Sequence, residues 1–236
     1  MMLKKGNEVT LVMAYYENGR MLERHFKEWE TYPDIPFKII LVDDGSQNYP
    51  AVNHITECKF PLELYRIKKD IPWNQNGARN LGMTHAEGWC LLTDMDHLLS
   101  NSQFETLNNL SLWDIMHCVP GRRKVDGTLY KRHPNSYIVH KDLYWKAGGY
   151  DESFSGYYGT DSTFRRQLAK VSERIELEEQ FYLTLYERSV IKDASTRNYG
   201  RKNSEYSVSH HPLLRERKKL CPPPIEPLNF PWERLI

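Results

Sequence analysis

Cysteine is scarce. The chain of 236 residues carries four, Cys58, Cys90, Cys118 and Cys221, far apart and in no Cys-x-x-Cys or Cys/His zinc spacing. A chain of this length buries enough apolar surface to fold without disulfides, so a disulfide scaffold and a zinc finger are both excluded and a reducing compartment fits. Long hydrophobic runs are missing as well. No apolar stretch approaches the roughly 18 residues of a membrane span, and Lys4, Lys5 and Glu8 stand where a signal peptide has its apolar segment. A cytoplasmic protein with no transmembrane segment is expected. Charge of one sign is lacking too: 32 Lys+Arg face 31 Asp+Glu, which argues against a protein that coats nucleic acid non-specifically. There is no internal repeat. What remains, 40% hydrophobic and 27% charged residues, is the composition of one ordinary domain with a tail.

Three short apolar runs lead the chain: Val9-Thr10-Leu11-Val12-Met13, Phe37-Lys38-Ile39-Ile40-Leu41-Val42 and Trp89-Cys90-Leu91-Leu92-Thr93. Each reads as a buried strand. Residues 20–31 put Met21, Leu22, His25, Phe26 and Trp29 on one helical face, so strand, helix and strand form a parallel crossover. A shorter helix is expected over 49–58, a strand over 62–67, and a helix over 76–86 closed by Gly88. Further on, strands are expected over 113–119 and 137–140, with a hairpin turn at Asp126-Gly127. A helix starts near Asp161, and Phe181, Leu183 and Leu185 alternate as a strand does. From Ser189 the chain turns polar and Pro-rich, an extended tail whose Phe230 and Trp232 pack on the domain or on a second copy.

The polar residues follow the apolar runs directly: Ala14-Tyr15-Tyr16-Glu17, Asp43-Asp44-Gly45-Ser46 and Asp94-Met95-Asp96-His97. In an open α/β sheet the carboxyl ends of the strands form the ligand crevice, so these three clusters are expected to converge there. Asp94 and Asp96 present oxygens suited to a hard divalent cation carrying a diphosphate, or else make a solvated turn. Asp43-Asp44-Gly45-Ser46 reads as a tight turn, or as a carboxylate for a nucleobase or ribose. Arg79 opens a helix, where paired donors grip a diphosphate or make a local ion pair. The loop from Gly148-Gly149-Tyr150 through Tyr157-Tyr158-Gly159-Thr160-Asp161 offers close backbone approach and aromatic faces for sugar, with Asp161 also placed to cap a helix.

Taken in order, these clusters resemble the GT-A nucleotide-sugar glycosyltransferases, family 2 and the galactosyltransferase-like group above all. Residues 14–17 resemble the opening nucleotide loop of that family, and Val42-Asp43-Asp44-Gly45-Ser46 its second. Gly77-Ala78-Arg79-Asn80-Leu81-Gly82 is similar to its arginine helix, Thr93-Asp94-Met95-Asp96 to its metal motif, and Gly148-Gly149-Tyr150-Asp151-Glu152 through Gly159-Thr160-Asp161 to its acceptor segment. The resemblance covers roughly residues 8–188.

It implies an α/β domain over 1–188 with a Rossmann-like, mixed and mainly parallel sheet flanked by helices. Its nucleotide-binding half is about 1–100, its acceptor-side half about 101–188, and 189–236 form the tail, which packs on the domain or joins a homodimer. Donor contacts are implied for Ala14, Tyr15, Tyr16, Glu17, Asp43, Asp44, Arg79, Asp94 and Met95. Mn2+ or Mg2+ is implied at Asp94 and Asp96, with His210 a guess for a third ligand. Sugar or acceptor contacts fall to Gly148, Gly149, Tyr150, Tyr157, Tyr158 and Thr160, and Asp161 is the implied general base.

The implied reaction moves a sugar from a nucleoside diphosphate, a UDP-sugar first, to an acceptor hydroxyl with inversion. A glycan acceptor is favoured by Trp113, Trp145, Tyr157 and Tyr158. The basic clusters 122–124, 131–133 and 215–219 keep open a modified DNA base as acceptor. Thr160, where relatives carry an acid, is the one hint of a catalytically silent sugar-binding module. A nucleotidyltransferase is disfavoured, because Ala14-Tyr15-Tyr16-Glu17-Asn18-Gly19 is no triphosphate loop.

Overall fold

The computed structural model describes residues 9–34, 36–113, 115–133, 135–186, 207–220 and 226–236. The Pro222-Pro223-Pro224 run and the start of the tail at Ser189 lie outside these. The three leading apolar runs are strands β1 (Val9–Tyr15), β2 (Phe37–Asp43) and β4 (Trp89–Asp94), and β3 (Leu62–Ile67) lies between them in sequence. The first two are almost wholly buried, as continuous Val/Ile/Leu runs require when both faces of a parallel sheet are covered.

These strands lie in an eight-stranded sheet completed by β6 (Met116–Val119), β9 (Tyr137–His140), β10 (Glu173–Glu176) and β12 (Trp232–Arg234), in the order β10-β6-β9-β4-β1-β2-β3-β12. Its centre is parallel, while β9 and β12 run antiparallel to their neighbours. A second sheet of β5 (His97–Leu98), β11 (Tyr182–Leu185), β7 (Gly121–Lys124) and β8 (Leu129–Tyr130) stands beyond the end of β4. The mixed, mainly parallel α/β sheet is the one the sequence implies.

Helix α1 (Gly19–Glu30) is capped by Asn18, whose side chain accepts from Met21 N, and it buries the expected face of Met21, Leu22, His25, Phe26 and Trp29. On the other side of the sheet α2 (Gln75–His85) is buried over every residue from Asn76 to Met83, and α4 (Lys141–Lys146) and α5 (Asp161–Val171) share its cluster. Each fully buried Leu or Phe in these layers contributes about 1.5–3 kcal/mol. Among the described residues no helix is long and apolar enough to cross a membrane, and Cys58, Cys90 and Cys118 are free thiols.

Several elements differ from the sequence reading. The helix expected over 49–58 is only a 3-10 turn, Ala51–His54, because the side chains of Glu17 and Asp43 take the amides of this loop. Helix α3 (Asn101–Asn108), of low amphipathic contrast, and the two-residue β5 had no sequence signal. The end of the tail adds a strand: β12 pairs antiparallel with β3, and Trp232 packs its edge on Tyr65 and His85.

Candidate active site

The register brings the three polar clusters together. Ala14 is partnered by Val42 on one side and Asp94 on the other, and Tyr15 by Asp43. Asp44 N donates to Tyr15 O at 2.9 Å, tying the two loops beyond the strands.

Much of the first two clusters holds this edge in shape. Asp43 is fully buried and accepts from Ser46 N at 2.8 Å and Ala51 N at 2.7 Å. Glu17, at φ +49, accepts from the amides of Gln47, Asn48 and Tyr49. A non-glycine residue in that backbone region is uncommon and marks a loop fixed by its surroundings. Tyr15 is buried with its hydroxyl on Tyr49 O, and Tyr16 reaches Asp70 at 3.3 Å. Asp44 accepts from Asn74 Nδ2 at 3.0 Å, and burial, with the charges of Asp43 and Asp70 adding to it, pushes its carboxyl well above the usual range. A carboxyl raised in this way suits a hydrogen bond with a polar edge such as a nucleobase.

The centre of the site is a buried ion pair. Arg79 has no exposed surface; its guanidinium donates to Asp94 Oδ1, to Asn135 O at 3.1 Å and to Tyr150 Oη at 2.5 Å. Burial alone would lower the guanidinium, but Asp94, then Tyr150 and Asp161, hold it above its ordinary value, so it stays charged. Gln75 Nε2 also donates to Asp94 Oδ1, at 2.6 Å, and His133 Nε2 lies 3.2 Å from Asp94 Oδ2. Burial lifts the Asp94 carboxyl, Arg79 opposes this and the Asp96 charge adds to it.

Behind the pair runs a polar chain: His133 Nδ1 is 3.0 Å from Ser136 Oγ, which is 2.7 Å from Thr93 Oγ1. His97 Nδ1 lies 2.6 Å from Asp96 Oδ1, and its Nε2 accepts from Arg122 at 3.2 Å. His25 Nε2 donates to Met95 O at 2.8 Å, and burial pushes that imidazole down to about 4, keeping it neutral. Sequence reading gave no site role to Gln75, His133 or Asn135, placed His25 only on the apolar face of the first helix, and named His97 only within the 94–97 cluster. His133 stood only as part of a basic cluster, and no spacing links it to residue 94.

Between α4 and α5 the Gly-Gly turn is forced. Gly149 has φ +66, and a Cβ there would lie 2.8 Å from the Trp145 ring and 2.9 Å from Asn80 Oδ1. Asn80 takes up the turn, accepting from Tyr150 N at 2.9 Å and donating to Tyr150 O at 2.8 Å. Tyr150 itself is buried, stacked on Phe164 at 4.2 Å, with its hydroxyl on Arg79 and Asn135. Gly148 has φ +94. Thr160 is buried and donates to Asn76 Oδ1 at 3.0 Å, so its hydroxyl anchors α5 to α2. Asp161 opens α5, half-buried, and its charge is felt at Arg79, Asp94, Tyr137 and Tyr150. Tyr158 is 40% exposed, edge-on to Trp73 at 5.4 Å, and Trp73 is held at φ +49. Tyr157 packs on His211 at 4.6 Å.

A divalent cation fits the chemistry of this donor set: adjacent Asp94 and Asp96 repel each other, and a cation offsets that repulsion. Among the described residues no group of three or more His, Cys, Asp or Glu side chains is arranged to hold a metal. Asp94 is engaged by Arg79, Gln75 and His133, and Asp96 by His97. His210 is exposed on a 3-10 turn and His211 is turned towards Phe154 and Tyr157, so neither joins the two carboxylates here.

No family model matches the sequence, and no curated protein matches it. Solved structures do. Residues 1–349 of TarS from S. aureus superpose with a TM-score of 0.58 at 14% identity, over 76% of this chain and 60% of that one. GalNAc-T7 with UDP, GalNAc and Mn2+ gives 0.59 at 13%, over 78% and 44%. The mannosyltransferase PcManGT from Pyrobaculum calidifontis, with GDP-Man and Mn2+, gives 0.55 at 13%, over 83% and 62%. The chain thus spans less than two thirds of each of them. At this identity the likeness establishes the fold, which is the GT-A glycosyltransferase fold.

Proposed function

We propose that this chain transfers a sugar from a nucleoside-diphosphate sugar, a UDP-sugar first, to a hydroxyl of a glycan, with inversion at the anomeric carbon. The observation that carries the reading is the joining of Asp94, the last residue of β4 and two positions before Asp96, to the buried Arg79, with Asp161 close enough for its charge to act on both Arg79 and Asp94. Neighbours in complex with UDP or GDP-Man and with Mn2+ support a diphosphate donor and a divalent metal.

In this reading Asp44 and the loop braced by Glu17 receive the nucleoside, and Gln75, Arg79 and His133 fix Asp94 beside the diphosphate. Asp96 would hold Mn2+ or Mg2+, cations that commonly bind through one or two carboxylates. Such a cation would supply Lewis-acid chemistry to offset charge on the leaving diphosphate. Asp161 accepts the proton of the acceptor hydroxyl as that oxygen bonds to the anomeric carbon and the bond to the diphosphate breaks.

The exposed Tyr158–Trp73 pair supplies an aromatic face for an acceptor sugar. Against the DNA alternative, three of the basic residues have partners within the chain. Arg132 is held by Glu176 and Glu178, Arg122 by His97 and Lys131 O, and Arg123 lies over Tyr182. Asp161→Asn tests the reading: sugar transfer from a UDP-sugar falls by about a hundredfold or more while UDP binding is kept. Equal loss of both makes Asp161 structural, and no transfer by the wild type with any donor leaves the silent module.

A further inference from the structure

The end of the tail also reaches the site, through the two carboxylates that follow Tyr150. Glu152 Oε1 accepts from Leu228 N at 2.9 Å and from Asn80 Nδ2 at 2.7 Å, while Oε2 accepts from Asn229 N at 3.2 Å. Leu228 sits at φ +65, rare for a residue with a side chain, and its turn aims two successive amides at one carboxylate. Phe230 follows and rests on the first turn of α2, where a Cβ on Gly77 would lie 2.4 Å from its ring. Pro231 O then accepts from Lys68 N at 2.9 Å, and β12 joins β3, with Glu233 paired to Lys68 at 2.9 Å. The neighbouring Asp151 holds a second stretch of the same region, its Oδ2 lying 3.3 Å from Arg217 Nε. The segment therefore spans the domain from the acceptor loop to β3, crossing the turn of α2 from which Gln75 and Arg79 reach Asp94.

We propose that Glu152 is a positioning residue: it latches residues 226–236 over α2, and the latch fixes the turn that presents Gln75 and Arg79 to Asp94. A carboxylate that accepts two backbone amides and a side-chain amide makes three charge-assisted bonds at its roughly four acceptor sites. Local opening of the tail then requires breaking all of them together. Only the kinetic part rests on the glycosyl-transfer reading, because the latch itself is visible without nucleotide.

The test uses the full chain as Glu152→Ala, Glu152→Gln and Phe230→Ala, with Glu105→Ala, exposed on α3 and away from the latched segment, as control. Amide hydrogen exchange is followed at 226–236 and 75–79, together with UDP affinity in manganese and turnover. In Glu152→Ala the amides of Leu228 and Asn229 exchange about tenfold faster or more, and those of 75–79 accelerate with them. UDP binds about five- to tenfold more weakly, while turnover at saturating donor changes less than about twofold. Glu152→Gln keeps one acceptor oxygen and falls between. Phe230→Ala accelerates 75–79 more than 228–229. Unchanged exchange in both segments overturns the proposal, and so does a loosened tail with 75–79 and UDP affinity unaltered. Should Glu152→Ala not fold, the other two variants carry the same decision. If the wild type binds no nucleotide, the donor reading falls, and exchange alone decides the latch.

Discussion

Replacing Arg79 by Met is the most informative perturbation of the site. The side chain has no exposed surface, and its guanidinium serves Asp94, Asn135 O and Tyr150 while lying 5.1 Å from the Tyr150 ring. Met fills most of the volume, so packing changes little. What is lost is the positive charge, leaving the Asp94 carboxylate with Gln75 and His133 alone. Breaking a buried pair from one side costs about 3–5 kcal/mol. In a chain of this length, at about 2–4 °C per kcal/mol, that lowers the melting temperature by roughly 6–20 °C. Asp94→Asn on its own strands the guanidinium and is destabilising too. The double variant Arg79→Met with Asp94→Asn contains no stranded charge, so urea unfolding of the four proteins should show about 2 kcal/mol or more of favourable coupling. A single-variant loss under about 1 kcal/mol, or effects that add within about 0.5 kcal/mol, would refute the claim that the pair is a buried, mutually dependent unit.

Other expectations concern pH and the acceptor. His117 donates to Ser172 Oγ at 2.7 Å, and burial, helped by Arg174, pushes it down to about 4 from an ordinary value of 6.5. The unfolded chain therefore binds the extra proton between those values. The contribution of His117 to stability is complete above pH 6.5 and is lost as pH falls towards 4, about 3 kcal/mol in all. His117→Gln should flatten that part of the stability profile measured by urea unfolding, and an unchanged slope would remove His117 as its source. Tyr158→Ala should raise the acceptor KM about tenfold with little change in donor KM; an effect on the donor alone would place the Tyr158–Trp73 pair on the nucleotide.

Which parts of this molecule the sequence made legible follows from the range of the interactions involved. β1, β2 and β4 are read from runs of Val, Ile and Leu because a strand buried on both faces leaves no room for alternation, and α1 is read from its five-residue apolar face. The convergence of residues 14–17, 43–46 and 94–97 follows from those strands lying side by side. What stayed hidden depends on side chains that meet across long separations. Residues 49–58 read as a helix until the carboxylates of Glu17 and Asp43 are seen to take the amides of Asn48, Tyr49 and Ala51. His133 and Asn135 reach Asp94 and Arg79 only because β9 lies beside β4 in the sheet. The second carboxylate of the Asp151-Glu152 pair accepts from Asn80 and from the turn at Leu228-Asn229, 76 and 77 residues further on. Tyr150 shows the same limit from the other side: an aromatic in a glycine-rich loop suggests a sugar face, yet here the ring supports Arg79 from within.

The central claim is that the crevice beside Asp96 binds a nucleoside diphosphate together with a divalent cation. Thermal unfolding of the wild type and of Asp96→Ala with UDP, GDP, CDP or ADP, each with and without manganese, tests it most directly. At about a hundred times its dissociation constant a bound diphosphate stabilises by roughly 2.7 kcal/mol, a shift of several degrees in a chain of this size. The account predicts such a shift for one diphosphate, UDP first, that requires both manganese and Asp96. A shift indifferent to manganese and to Asp96, or none with any of the four, would contradict it.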